Sequence, residues 1–371
     1  MERPVLANSD AETKLVRILD AHCLSSIEAS RINKVLSQPM GGRIRLSFQD
    51  KPGHINPCKR ETLVLLESQG GRVHGVGGRK VLDVWYDGRK AQVGYLHRFR
   101  GESRIGWNYK SIRQGFDMLL DSRTDNQLDF DVTSIASDNT AARRLLERNL
   151  PGMPIYHPLC GYTTFVLTTR RSGTVSSDSE PMDDTVIAEI ESLQQQYASA
   201  IQFAPSYSMV RLLSVIPAQD WILVRRGGRI VAAAGMWNQP ATEQIRVASY
   251  DSLLSAMRPL HNVLARLLNK PTLPPADSNL PMAFLAFAAF DSPHPSDVLL
   301  LIRRALLHAR NLGLAYLAFG ATEGAPLYRI ALKHFRPWKF ATTIYAVTRS
   351  GRQTVDGIQR AASVGLEAAL L

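Results

Sequence analysis

The chain has 371 residues, 45% hydrophobic and 21% charged, a globular composition larger than one ordinary core, so two domains are expected. Its formal charge of +11 suits polyanionic partners such as coenzyme A phosphates, RNA or an acidic lipid surface without choosing among them. No stretch reaches the roughly 18 to 20 apolar residues of a membrane span, Met1 to Asp10 lacks the features of a secretion signal, and Cys23, Cys58 and Cys160 fall in no zinc or disulfide spacing, so a cytoplasmic protein without a metal is expected.

Residues 10 to 37 read as a helix, since Leu15, Ile18, Leu19, Ile27, Ile32 and Val35 fall near one face of a 3.6-residue period. The period then changes. Arg43 to Phe48 alternates as a strand, Glu61 to Glu67 is a β-rich run, and the turn Gln69, Gly70, Gly71, Arg72 leads into another run at Val73. Asp87 and Gly88 mark a hairpin between Val81 to Tyr86 and Ala91 to Phe99. A helix from about Trp107 to Leu120, a strand from Phe130 to Ile135, a helix from about Asn139 to Arg148 and a strand from Tyr162 to Thr169 complete this half.

Arg170 to Asp184 is rich in Ser, Asp, Gly and Pro, the composition of a linker, and divides a first domain, 1–169, from a second, 185–371. The second half reads as a helix from about Thr185 to Ala204, a strand at Trp221 to Val224, the turn Arg226, Gly227, Gly228, Arg229, and a strand from Ile230 to Met236. Residues 250 to 280 are a Pro-rich and Leu-rich excursion. Met282 to Phe290 reads as a buried strand, Ser296 to Leu312 as a helix closed by Gly313, Leu314 to Phe319 as a strand, Ala325 to His334 as a helix and Ala341 to Thr348 as the last strand. The elements recur in order, and two segments recur in sequence: Gly70 to Val73 returns as Gly227 to Ile230, and Tyr162 to Phe165 returns as Ala341 to Ile344. A tandem duplication follows.

The strand through Arg98, Phe99, Arg100 and Gly101 runs by way of Arg104, Ile105 and Gly106 into a helix. A helix start supplies unpaired amides and the positive end of a dipole, glycine permits close approach, and arginine adds charge-assisted bonds, so this turn is a candidate anion cradle. Local chemistry alone also permits an ordinary strand-to-helix connection. Arg100, Gly101, Ile105 and Gly106 resemble the pyrophosphate loop of the GNAT superfamily of acyl-CoA-dependent N-acyltransferases, with a turn one residue longer and no central glycine. Asn139, Ala142, Leu145, Leu146 and Glu147 resemble the series that opens the next helix of that family, and Asn139 is also a sound helix cap on local grounds.

The resemblance implies an α+β fold of two tandem GNAT-like domains, each a mixed, largely antiparallel sheet flanked by helices, with acetyl-CoA or another acyl-CoA as co-substrate. It implies transfer of the acyl group to a primary amine of a small molecule or peptide. It places the base on the strand before the loop, where Tyr95 and His97 share a side, and it sets the carbonyl against strand amides near His97 to Phe99. Leu146 stands where the family often has a tyrosine acid, leaving Tyr156 or Tyr328 to substitute. The second half lacks a cradle: in Asp291, Ser292, Pro293, His294 and Pro295 the prolines remove amide donors and no glycine permits close approach, so it is expected to be non-catalytic toward coenzyme A and to shape the acceptor pocket or stabilise the first copy. The competing readings are a degenerate acyl-CoA-binding scaffold and an aminoacyl-tRNA-dependent transferase. The basic residues form no stripe with aromatics, which disfavours nucleic acid.

Overall fold

The computed structural model describes residues 15–38, 44–50, 60–68, 70–101, 109–170, 181–239, 243–268, 270–291, 294–349 and 364–371. The sequence places a helix over residues 10 to 37, but Leu15–Asp20 is a strand, β1, antiparallel to β3 (Glu61–Glu67). Leu15, Ile18 and Leu19 have helical spacing, yet β1 is the outermost strand, with Leu15 and Ile18 exposed, and backbone pairing to β3 decides its conformation. Helix α1 (Ser26–Leu36) begins only where Ser25 accepts from the Glu28 amide and Glu28 reaches back to Ser25 N, a reciprocal cap.

Strands β4 (Val73–Tyr86) and β5 (Arg89–Gly101) form the expected hairpin, with Asp87 and Gly88 at φ 48° and 71°. Helix α2 (Tyr109–Asp121), strand β6 (Gln127–Ala136), helix α3 (Thr140–Leu146) and strand β7 (Ile155–Thr168) follow. Residues 171–180, most of the predicted linker, lie outside the described residues. Beyond them come α4 (Asp184–Ala198), α5 (Met209–Leu213), β8 (Trp221–Arg226) and β9 (Arg229–Trp237). The last elements of the main sheet are β12 (Met282–Phe290), α7 (Pro295–Asn311), β13 (Tyr316–Thr322), α8 (Pro326–His334) and β14 (Trp338–Thr348).

Among the described residues the main sheet has eleven strands in the order β1-β3-β4-β5-β6-β14-β7-β13-β12-β9-β8. With the end strand β1 set aside, and counted inward from both sides, β3, β4, β5, β6, β14 match β8, β9, β12, β13, β7. In both series the third and fourth strands are parallel and the other neighbours antiparallel. The duplication read from the sequence is therefore a two-fold arrangement in space, with the last strand of each half completing the sheet of the other. The repeated segments meet at its centre, where Tyr162 pairs with Thr342 and Thr163 with Ala341. Those two pairs interchange when each residue is replaced by its repeat.

Helices α2 and α3 cover one face over Leu96, Ile135, Tyr156 and Tyr345, and α7 and α8 continue that face over Val224, Leu285 and Phe319. Helix α4 covers the opposite face, where Tyr95, Val132, Tyr162 and Ile344 join its Ile190 and Leu193 in one core. Residues 364–371 return to this face, with Val364, Leu366 and Leu370 buried.

A second, three-stranded sheet joins β2 (Ile44–Asp50) to β10 (Glu243–Tyr250) and β11 (Ser278–Asn279). Between β10 and β11 runs α6 (Ser252–Leu267), a helix inside the segment that reads as an irregular excursion. Its Pro259 hides it from the sequence pattern. Asp251 nonetheless caps the first turn by accepting from Leu254 N at 2.6 Å, and leucine and alanine carry the rest.

Candidate active site

The candidate site lies where a pair of parallel strands part. Strand β5 follows β6 only from Gln92 to Tyr95, opposite Gln127, Asp131 and Val132. Beyond that, β5 bulges against β4: the register shifts between Val76 and Gly78, and Arg98 sits at φ 59°. Side chains bridge the start of the gap. Thr133 Oγ1 donates to Leu96 O at 2.8 Å, and the Tyr95 and Ser134 hydroxyls lie 2.6 Å apart.

Among the expected site residues, Tyr95 and His97 share one side of β5 with ring centroids 6.0 Å apart. His97 is paired with Glu61, Nε2 to Oε1 at 3.2 Å, a partner that sequence reading missed because Glu61 only opens a β-rich run 36 positions earlier. Burial, together with the Lys80 ammonium, pulls the His97 imidazole down to about 4. Burial opposes ionisation of Glu61, but Arg98, His97 and Lys80 together hold its carboxyl below the usual range. Burial pushes the Tyr95 hydroxyl up to about 12, partly offset by Ser134, so it stays a hydrogen-bonding group rather than an anion.

Tyr156 lies apart, on the opposite face among Phe116 and Tyr345, and burial raises its pKa. Arg98 contacts Glu61 at 3.5 Å, Arg100 donates to Gln38 O at 2.8 Å, and Phe99 stacks on Phe116 of α2 with centroids 5.0 Å apart. Gly101 ends β5. Arg104, Ile105 and Gly106 lie outside the described residues. Asn139 caps α3, accepting from Ala142 N at 3.1 Å. Tyr328 packs edge-on to Phe165.

The second half repeats the geometry and closes it. Strand β12 follows β13 from Met282 to Phe284, then bulges where the register against β9 shifts between Ala286 and Ala289, with Phe287 at φ 53°. Three residues past the last parallel pair in each copy, Arg98 and Phe287 are equivalent. The Phe287 amide donates to Glu367 Oε2 at 2.6 Å, and Ala369 N donates to Oε1 at 3.2 Å, so the returning carboxy-terminal segment occupies the bulge. Tyr162 donates to Leu366 O at 2.8 Å, and Gly320 leaves room for that ring, since a Cβ there would lie 1.8 Å from the Tyr162 hydroxyl. Beside these groups a cavity of about 300 Å³ is lined by Glu191, Gln194, Tyr207, Phe287 and Glu367. The start of α7 carries its own acid: Asp297 pairs with Arg226 at 2.6 Å and Asp291 with Arg229 at 3.2 Å. An incoming diphosphate would meet carboxylates there. Among the described residues no three His, Cys, Asp or Glu side chains form a metal set.

Burial pushes the Glu367 carboxyl up to about 7, against the amides of Phe287, Ala369 and Ala368. A folded pKa above the unfolded value of 4.5 means that this group's contribution is complete below about pH 4.5 and is lost as pH rises through 7. Glu367→Ala leaves the Phe287 and Ala369 amides without their acceptor and is expected to cost about 2 kcal/mol in urea unfolding at pH 5. An unchanged midpoint would mean that water replaces the carboxyl group.

No protein-family model matches the chain, and no curated protein sequence matches it. Solved structures do. N-myristoyltransferase of Saccharomyces cerevisiae with bound myristoyl-CoA is 10% identical, with a TM-score of 0.57 over 99% of this chain and 91% of that one. A second structure of that enzyme with myristoyl-CoA is 9% identical, with a TM-score of 0.60 over 99% of this chain and 87% of that one. The GCN5-related glucosamine N-acetyltransferase region of a fungal multi-domain β-N-acetylglucosaminidase is 10% identical, with a TM-score of 0.59 over 91% of this chain and 39% of that one. The fold is thus the tandem GNAT-like fold that the cradle and the repeats imply.

Proposed function

We propose that the chain is an acyl-CoA-dependent N-acyltransferase in which the first half holds the acyl-CoA and the second half holds the amine acceptor. One observation carries this reading: the parted, bulged strand pair occurs twice, and among the described residues the helix after the first copy, α2, has no acid in its first turn while the helix after the second, α7, has Asp297. The N-myristoyltransferase structures of the same fold hold myristoyl-CoA. In the second copy Glu367 fills the bulge and Asp297 neutralises the helix start.

In the proposed reaction the thioester carbonyl lies against the β5 bulge, where preorganised dipoles polarise it. The amine nitrogen attacks the carbonyl carbon, the C–N bond forms, the C–S bond breaks, and the amine proton passes to His97, directly or through water. The imidazole is neutral at working pH and therefore free to accept, and Glu61 beside it stabilises the cation that forms. The coenzyme A thiolate leaves and takes a proton from solvent.

Release of free thiol from acetyl-, octanoyl- and myristoyl-CoA in the presence of small primary amines and peptides with a free amino group tests this. Amine-dependent release from at least one thioester is expected. Binding of acyl-CoA without release under any acceptor would make the chain a scaffold; tRNA-dependent transfer would make it an aminoacyl transferase.

A further inference from the structure

We propose that α6 is a docking helix for a lipid bilayer bearing anionic headgroups, a property independent of the acyltransferase reading. At about 100° per residue, Leu253, Met257, Leu260, Val263, Leu264 and Leu267 fall within one arc of roughly 120°. All six are exposed, from 49% for Met257 and Leu264 to 70% for Leu267. Among the described residues that is a continuous exposed apolar row, flanked by a cleft only at its Leu267 end.

The opposite side of α6 is the side the protein uses. Asn262 clasps Leu273 through both backbone groups, donating to its carbonyl at 2.9 Å and accepting from its amide at 2.7 Å. Arg258 donates to Pro274 O at 3.0 Å, and Ala265 is buried. The helix is thereby fixed with its apolar row outward, outside the eleven-stranded sheet.

Charge decides what the row meets. From Ser252 to Ala276 there is no Asp or Glu, while His261, Arg266 and Lys270 are basic. At the end of the helix Leu267 and Leu268 share a cleft with His334 and Arg336, and Arg170 reaches Thr272 at 3.4 Å. A second copy docked through this face would bring the same cations together with no acid between them. An anionic surface instead receives the leucines into its acyl boundary and the basic rim at its headgroups, the pattern of an interfacial helix. No helix among the described residues is long and apolar enough to span the bilayer, so α6 lies on it.

Co-flotation of the full chain with vesicles of phosphatidylcholine, with or without phosphatidylserine, tests the assignment. We expect binding to rise about tenfold with phosphatidylserine and to fall at high salt. The double variant Leu260→Glu, Leu264→Glu is expected to abolish flotation while its circular dichroism melt stays that of the parent, since both side chains are exposed. No flotation with phosphatidylserine, or flotation that the double variant retains, overturns the proposal. So does a dimer in light scattering that the same variant dissolves, which would make the face a protein interface.

Discussion

Gly94→Ala is expected to unfold or nearly unfold the chain at ordinary temperature. A Cβ at Gly94 would lie 2.1 Å from Asp131 Oδ1 and 2.4 Å from Nε and Nη2 of Arg79, well inside any real contact. Those atoms cannot yield cheaply. Asp131 is fully buried and accepts from Arg79 Nε and Nη2 at 3.1 and 2.9 Å and from Arg123 Nη2 at 3.1 Å, while Arg79 Nη2 also donates to Gln127 at 2.6 Å. Moving either partner leaves a buried charge uncompensated, a loss of about 3 to 5 kcal/mol against a total stability on the order of 5 to 15 kcal/mol. The same cluster stitches β4, β5 and β6 where the parallel pair still holds, so its loss also releases the strands that position His97. Gly88→Ala is the control: Gly88 has φ 71° but nothing within 4 Å, and about 1 kcal/mol is expected there. Urea unfolding followed by circular dichroism separates them, and a Gly94→Ala midpoint close to that of Gly88→Ala would contradict this role of the cluster.

His97→Ala is expected to lower kcat about a hundredfold, the usual worth of a positioned general base, with acyl-CoA affinity nearly unchanged. The variant keeps Glu61 balanced by Arg98, so the loss is one of rate and not of charge compensation. The pH profile gives an independent reading. A base with its pKa pulled down to about 4 is neutral above that value, so kcat/KM should stay level from neutral pH down and fall only as pH drops through about 4. The stability linkage has the same direction: the folded pKa is depressed below the unfolded value of 6.5, so this group's contribution is present above 6.5 and is lost as pH falls toward 4. An acid limb centred near 6.5, or normal turnover by His97→Ala, would move the base elsewhere, with Tyr95 next to test by Tyr95→Phe.

Local pattern carried far along this chain. Strand β12 coincides with the predicted Met282 to Phe290, and the turns at Asp87-Gly88 and Gly227-Gly228 hold positive φ as their residue types require. The repeat of Tyr162 to Phe165 as Ala341 to Ile344 was legible as a duplication. Its consequence was not: insertion of β14 between β6 and β7 is a long-range pairing that no local period encodes. Two segments were misread for local reasons, β1 because an edge strand of six residues fits helical spacing, and α6 because Pro259 lies within it. At the site, Tyr95 and His97 were placed together because alternation in a strand is local, whereas Glu61 and Glu367 reach their partners across 36 and 80 positions and leave no local signal. The carboxylates at the start of α7 were legible in part, since Asp291 stands in the sequence where a cradle would need glycine, but Asp297 acts through Arg226, and only the β8–β9 turn brings that arginine to the helix.

Division of labour between the two halves is the central claim, and calorimetric titration of the full chain with a non-hydrolysable acyl-CoA thioether tests it most directly. One molecule per chain is expected, and Glu367→Ala, which empties the second bulge but leaves Asp297 at the start of α7, should keep that stoichiometry. Two equivalent sites in the parent, or one site that Asp297→Asn tightens and Arg100→Ala leaves unchanged, would place the acyl-CoA in the second half and contradict the account.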